Sequence, residues 1–182
     1  MFAARKRLFV DLLKRDLPIL AGRFVVDDRD GPEATYVIVV DGAGGHCASA
    51  RITPLTGPDP IRDTVDRSVQ PAAQPSDIVE IAHLCLAPEL SAGERRIARA
   101  LLFRRLAEFV RANGVRHVVG HASEPQVRRL EARGWPCRRI DGPAPDGKRS
   151  LAAIAVDVDG MTLSKLAAIG AVAPGRAAGR AR

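Results

Sequence analysis

Residues 78–86 read Ile78-Val79-Glu80-Ile81-Ala82-His83-Leu84-Cys85-Leu86, followed by Ala87-Pro88 and then Ser91-Ala92-Gly93-Glu94-Arg95-Arg96. β-Branched and apolar residues dominate the nine and Pro88 closes them, so the stretch predicts a strand largely buried on both faces. Glu80 and His83 interrupt it. A carboxylate inside an apolar strand is costly unless it is paired or lines a cleft. Glu80 is therefore the first functional candidate, and a structural ion pair with a nearby arginine is an equally good reading of it.

Downstream, Ile97, Leu101, Leu102, Leu106 and Phe109 make the apolar stripe of a long helix over 92–113, capped by Gly114. Strands follow at 115–120, 135–140 and 151–158, with helices at 124–132 and 161–168. Upstream, Leu8, Phe9, Leu12 and Leu13 recur at helical spacing and predict an amphipathic helix over 3–14, with Arg5 and Phe9 on one face. Pro18 ends it, 17–22 is a loop, and a short strand begins at 24–27 before a turn dense in carboxylates at 28–32. Segments 35–40 and 46–52 flank the glycine-rich 41–45 and predict a β-hairpin. The Pro-, Asp- and Thr-rich stretch 53–77 is a surface excursion with at most a short helix near 61–67. A meander followed by a strand–helix–strand unit implies a mixed sheet with helices on both faces.

At 182 residues the chain is long enough for one core and short for two. No apolar run is long enough to cross a bilayer, and Arg5-Lys6-Arg7 stands where a leader peptide would be apolar, so no membrane role is expected. The three cysteines (Cys47, Cys85, Cys137) are scattered and lack metal-ligand spacing. They predict free thiols in the cytoplasm and no metal site. A net charge of +7 gathers at 5–7, 95–105, 128–139 and a C-terminal tail, which suits an anionic cofactor or an acidic protein partner. Nucleic acid is disfavoured, because only 4% of residues are aromatic and the basic residues lie on several elements.

Several segments in this order resemble the acyl-homoserine-lactone synthases, the autoinducer synthases of the LuxI type. They are Arg5-Lys6-Arg7-Leu8-Phe9-Val10-Asp11-Leu12-Leu13, Gly22-Arg23-Phe24-Val25-Val26-Asp27-Asp28-Arg29-Asp30, Ser49-Ala50-Arg51-Ile52-Thr53-Pro54, Val79-Glu80-Ile81 with Cys85-Leu86, Glu94-Arg95-Arg96-Ile97-Ala98-Arg99, and Gly134-Trp135. The resemblance implies one α/β domain over 1–170, a GNAT-like αβα sandwich with a mixed, mostly antiparallel sheet and helices on both faces. A basic tail, 171–182, follows. It also implies an acyltransferase that joins an acyl chain from acyl carrier protein, or from acyl-CoA, to S-adenosylmethionine. Lactonisation then expels methylthioadenosine, the product serves quorum sensing, and no cofactor is tightly held. The family's polar set falls on Arg5, Phe9, Asp27, Asp30, Arg51 and Glu80. Two positions depart from it: Arg15 stands where the family has Trp, and His83 where it has Arg.

Aminolysis of a thioester needs a base for the amine proton and a donor for the oxyanion. Glu80 is the expected base and His83 a second candidate. Residues three apart on a strand face opposite ways, so the two share a cleft only across a bulge or splay. A half-buried histidine bonded to backbone is the favoured reading of His83. Asp27 and Asp30 offer negative potential to the cationic substrate, or pair with Arg5 and Arg51 to hold the first helix. Phe9 is read equally as core and as substrate wall, and the apolar strand residues near 79–86 and 115–119 as the acyl tunnel. Arg95, Arg96 and Arg99 at a helix start are candidates for the acyl-phosphopantetheine phosphate, or a solvated face that meets acyl carrier protein. Two other functions fit the same residues: an N-acyltransferase using acyl-CoA and another amine, and a homologue that binds acyl carrier protein without turnover.

Overall fold

The structure, a computed structural model, describes residues 1–55, 77–132, 137–140, 151–162 and 164–165. The short helix near 61–67, Gly134-Trp135, half of the helix at 161–168 and the tail at 171–182 lie outside the described residues.

The expected hairpin is present as β3 (Thr35–Val40) and β4 (His46–Pro54), and the opening stretch is β5 (Ile78–Leu86). Chain order continues through α2 (Ala92–Ala112), β6 (His117–Ser123), α3 (Glu124–Glu131), β7 (Cys137–Arg139) and β8 (Leu151–Asp157). Strands β3 to β8 form one sheet in the order β3-β4-β5-β6-β8-β7. Among the described strands only β5 and β6 run parallel, and α2 is their crossover. The result is a mixed, mostly antiparallel αβα sandwich.

Helix α2 begins at a capping box, in which Ser91 and Glu94 satisfy each other's backbone N–H. It ends where Gly114 adopts φ +63°, a left-handed turn that costs glycine nothing. Its Ala98, Leu102, Leu106 and Val110 pack on Ala48, Ala50, Ile52 and Val79. The predicted stripe was too wide, for Ile97 and Leu101 lie at the surface. Alanines on both β4 and α2 let small side chains fill positions that a stripe reading gives to large ones. Helix α3 covers the same sheet face further along, through Val127 on Ala122, Ala152 and Ile154.

The opposite face is covered by the N-terminal segment. Phe2–Arg5 is α-helical (α1) and Lys6–Leu12 continues as a π-helix, closed by bonds such as Leu13 N–H to Leu8 O at 2.9 Å. The changed turn keeps Ala4, Arg5 and Phe9 buried and carries Leu12 and Leu13, expected in the core, out to solvent. The loop expected at 17–22 instead contributes β1 (Ile19–Leu20), which pairs with β2 (Phe24–Val25) in a separate two-stranded ribbon. The meander in the main sheet is therefore two strands, with β2 outside it.

Two irregularities of β5 shape everything that follows. Its parallel pairing with β6 ends at Glu80↔Val119, although β5 runs on to Leu86 and β6 to Ser123. At Gly120 the two backbones are still close, for an added Cβ would stand 2.9 Å from the Ile81 carbonyl oxygen, but no pairing continues beyond it. The pairing with β4 shifts by one residue between Arg51↔Ala82 and Ser49↔Cys85, and His83 within that bulge has φ +51°. The expected double burial thus holds for Ile78, Val79 and Glu80 and fails at Leu84, which is exposed.

Candidate active site

The floor of the site is the face of β4 and β5 that the N-terminal segment covers. Opposed residues of an antiparallel pair share a face, so Thr53 stands beside Glu80, and Arg51 points the same way as both. The extra residue of the bulge turns His83 onto this face too. Glu80 and His83, three apart in sequence, therefore border one cluster. A left-handed histidine costs about 1–3 kcal/mol and persists only where its surroundings hold it.

Those surroundings are carboxylates from the turn after β2. His83 Nε2 lies 2.8 Å from Asp27 Oδ2, so the histidine bonds a carboxylate and not the backbone partner expected of it. Asp27 Oδ1 accepts from Arg51 Nη1 and from the Arg29 N–H, the latter at 3.0 Å. Asp30 Oδ1 and Oδ2 take Arg5 Nη1 at 2.9 and 2.8 Å, and Oδ1 also accepts the Tyr36 hydroxyl at 2.8 Å. Glu80 Oε2 accepts from Arg29 Nη1 at 3.2 Å and lies 3.9 Å from Arg51 Nη2. Its Oε1 stands 3.9 Å from His121 Nδ1. Three carboxylates and three guanidiniums thus sit together, with two imidazoles at the edges.

The electrostatics follow from burial set against these bonds. Burial raises the Asp27 carboxyl, but hydrogen bonds from His83 and Arg51 prevail and bring it down to about 2. Burial works the same way on Asp30, and the Asp27 amide, Arg5 and Tyr36 lower it. For His83, burial lowers the imidazole and outweighs the bond to Asp27. Asp27 is then an anion and His83 a neutral ring donating Nε2–H to it. Asp27, Asp30 and His83 bring ligand atoms within 4.8 Å of one another, but Arg5 and Arg51 already hold both carboxylates. A dication there would meet two guanidiniums.

Both readings offered for the aspartates find a place. Arg5 and Asp30 side chains are wholly buried and form an internal brace between the N-terminal segment and the turn. Asp27 and Glu80 lie nearer the edge of the cluster, and Phe9 is buried with its ring 5.7 Å from that of His83. Several donors have no partner among the described residues: Arg5 Nε and Nη2, Arg51 Nε, and the Thr53 hydroxyl beside Glu80. Arg5 is compensated in part by the Phe2 and Tyr36 rings, 5.0 and 5.6 Å from its guanidinium carbon.

Below Glu80 the same face turns apolar, with Ile78, Leu55, Val119, Ile140 and Ala155 forming a buried cluster. Val79, Val115 and Val118 of the expected tunnel belong instead to the core under α2. Arg95 is bound to the loop before α2, donating to the Pro88 and Leu90 carbonyls at 2.9 and 3.2 Å, while Arg96 and Arg99 face solvent. The sequence reading passed over Arg29, Tyr36, Thr53 and His121. The alternation Asp27-Asp28-Arg29-Asp30 was a signal for the first, since a cation among carboxylates in a turn seldom stands idle.

A profile of the autoinducer synthase family matches residues 1–166. The chain belongs to that family. An acyl-homoserine-lactone synthase of Ralstonia nicotianae is 28% identical over 183 residues, spanning 95% of this chain and 88% of that protein. Among solved structures, the CoA-dependent acyl-homoserine lactone synthase MesI superposes with a TM-score of 0.74 at 17% identity, covering 96% of this chain and 87% of that one. BjaI, a second CoA-dependent synthase, solved with SAM and isopentyl-CoA, gives 0.72 at 21% identity, covering 93% and 80%. The fold of this autoinducer synthase is the fold of those enzymes. In it, the charged cluster, the buried apolar cluster and the end of the β5–β6 ladder meet at Glu80.

Proposed function

We propose that this autoinducer synthase is an acyl-homoserine-lactone synthase, a cytoplasmic acyltransferase. It transfers an acyl chain from the phosphopantetheine thioester of acyl carrier protein, or from acyl-CoA, to the amine of S-adenosylmethionine. The observation that carries the reading is the position of Glu80. It is a buried carboxylate between a charged cluster suited to a zwitterionic amine and a buried apolar cluster whose chemistry suits an acyl chain. Where β5 and β6 part, unpaired strand edges offer hydrogen bonds to the amides of an extended pantetheine arm.

Glu80 removes a proton from the ammonium, the freed amine attacks the thioester carbonyl, a C–N bond forms and the C–S bond breaks. The carboxylate of the acylated substrate then closes on the carbon bearing the sulfonium, and methylthioadenosine leaves with the bonding electron pair. Arg29 holds Glu80 Oε2 and leaves Oε1 towards the end of the β5–β6 ladder. Asp27, with His83 and Phe9, presents negative potential and a flat wall to the cationic substrate. Arg5, Asp30 and Arg51 fix that wall in place, and Arg96 and Arg99 offer charge to an acidic donor.

One observation favours a different amine. The Arg15 guanidinium carbon stands 5.4 Å from the Phe9 ring centroid, so a permanent cation borders the wall against which a sulfonium would rest. The test measures lactone by mass spectrometry from purified protein, S-adenosylmethionine and a series of acyl donors, with Glu80→Gln beside the wild type. Lactone from the wild type and a loss of about 10²–10⁴-fold in the variant are expected. Thioester consumption by some other amine, with no lactone, would replace the synthase reading with the N-acyltransferase one. No consumption of either kind would leave a binding protein.

A further inference from the structure

The chain has four histidines, and three are committed. His46 Nε2 lies 2.9 Å from the Ser49 hydroxyl, His83 Nε2 2.8 Å from Asp27, and His117 Nδ1 2.9 Å from Asp157, which Arg138 also holds. His121 has no hydrogen bond among the described residues. Its Nδ1 stands 3.9 Å from Glu80 Oε1, with 42% of its side chain exposed against 6% for Glu80. That gap is one rotamer adjustment or one bridging water from a hydrogen bond.

Its place in the fold is specific. Val119 is the last β6 residue in register with β5, opposite Glu80, and His121 is two residues on, hence on the same face. The β5–β6 ladder ends at Glu80↔Val119 and Gly120 still packs closely on the Ile81 carbonyl, so the imidazole stands just past the last close contact, where the two strands cease to pair. Its neighbour across β8 is Ala153, and the β5 residue beyond Ile81 is Ala82, so small side chains leave it room to move. Glu80 has committed Oε2 to Arg29 and directs Oε1 at this ring.

We propose that His121 is a further catalytic residue, the acid that delivers a proton to the departing pantetheine thiolate, resupplied by Glu80. The proposal rests on the acyl-transfer reading above. A thiolate expelled from a thioester leaves more readily as it gains a proton, and a group where the two strands cease to pair is placed to give it. Glu80 first releases the ammonium's proton to solvent through the half-exposed His121 ring; as the amine attacks, it takes the second proton from nitrogen and passes it from Oε1 to His121 Nδ1. The ring releases its Nε2 proton to sulfur. One proton leaves nitrogen and one arrives at sulfur as the C–N bond forms and the C–S bond breaks. The partly exposed ring then exchanges with solvent and regains its starting tautomer.

The experiment follows thiol release and amide formation by wild type, His121→Gln and His121→Ala, each checked for an unchanged melting temperature. Two acyl donors are compared, one the ordinary alkyl thioester and one with an acidic aryl thiol that needs no protonation to leave. Both variants are expected to lose about 10²-fold in kcat on the alkyl thioester, with little change in KM, and to keep near-wild-type rates on the aryl thioester. Added imidazole should restore part of the His121→Ala rate. Equal losses on both donors would make the residue structural and overturn the proposal, as would unchanged rates on both. Failure of the acyl-transfer reading shows separately, as wild type that releases no thiol in the presence of S-adenosylmethionine, and it removes the proposal with it.

Discussion

Asp27 joins three other residues of the site through its side chain. One oxygen accepts from Arg51 and the Arg29 amide, the other from His83. Its carboxyl falls from the ordinary 3.8 to about 2, a difference worth on the order of 2 kcal/mol. Because the folded value is the lower one, that stability is fully present above about pH 4 and is lost as pH falls through about 2. His83 acts in the same direction, since burial holds its imidazole below the ordinary value and folding disfavours its protonation. Asp27→Asn should therefore lower the melting temperature at pH 7, and the gap to wild type should close as pH approaches 2–3. Calorimetric scans at pH 7, 5 and 3 read this directly. A gap that stayed constant with pH would mean that Asp27 contributes through packing and not through its charge.

At the scale of elements, the N-terminal segment stays on the sheet through one buried pair. Arg5 and Asp30 are wholly buried, and Ala4 and Phe9 pack beside Cys85 of β5. Removing Arg5 leaves Asp30 with Arg51 at 3.3 Å as its remaining cation and the Tyr36 hydroxyl as a donor, and breaking a buried pair costs about 3–5 kcal/mol. Arg5→Ala should lower the melting temperature by roughly 10 °C. A double variant, Arg5→Met with Asp30→Asn, should recover part of that loss, because neither partner is then charged. An Arg5→Ala melting curve matching wild type would show that the segment is held by its apolar contacts alone. These same elements show what a sequence discloses. Alternation in 35–40 and 46–52 encoded the hairpin, and the apolar run with Pro88 encoded β5. The π-turn at Lys6–Leu12 changes a hydrogen-bond register that hydrophobic spacing does not carry, so Leu12 and Leu13 were assigned to the wrong side. Of the site, Glu80 was legible as a carboxylate out of place among apolar residues. Its nearness to His83 depends on one extra residue in the β4–β5 pairing, and that leaves no periodic trace. His121 escaped because the strand was expected to end at 120, one residue short of it.

At the scale of the whole molecule, the net charge of +7 is distributed unevenly between paired and unpaired arginines. Arg104 and Arg105 both bond Glu108 on α2, Arg128 and Arg139 both bond Glu124, and Arg138 bonds Asp157. Arg95 is held by carbonyls of the loop that starts the helix. Arg96 and Arg99 are exposed and form no ion pair among the described residues, so on the first half of α2 theirs is the field that an acidic donor would meet under the proposed function. Charges of this kind steer encounter and contribute little to chemistry. Reversing both, Arg96→Glu with Arg99→Glu, should raise KM for acyl carrier protein several-fold at low salt and leave kcat nearly unchanged. The effect should shrink as salt is added, because exposed charges are screened beyond ~10 Å at 0.1 M. Arg95→Ala is the contrasting variant. It removes two bonds to the loop, so it should lower the melting temperature with a KM shift that salt does not alter. Steady-state titrations of the three proteins at low and high ionic strength separate the roles. A KM unchanged by the double reversal at low salt would move the docking surface off α2, leaving the basic residues of 128–139 as the next to reverse.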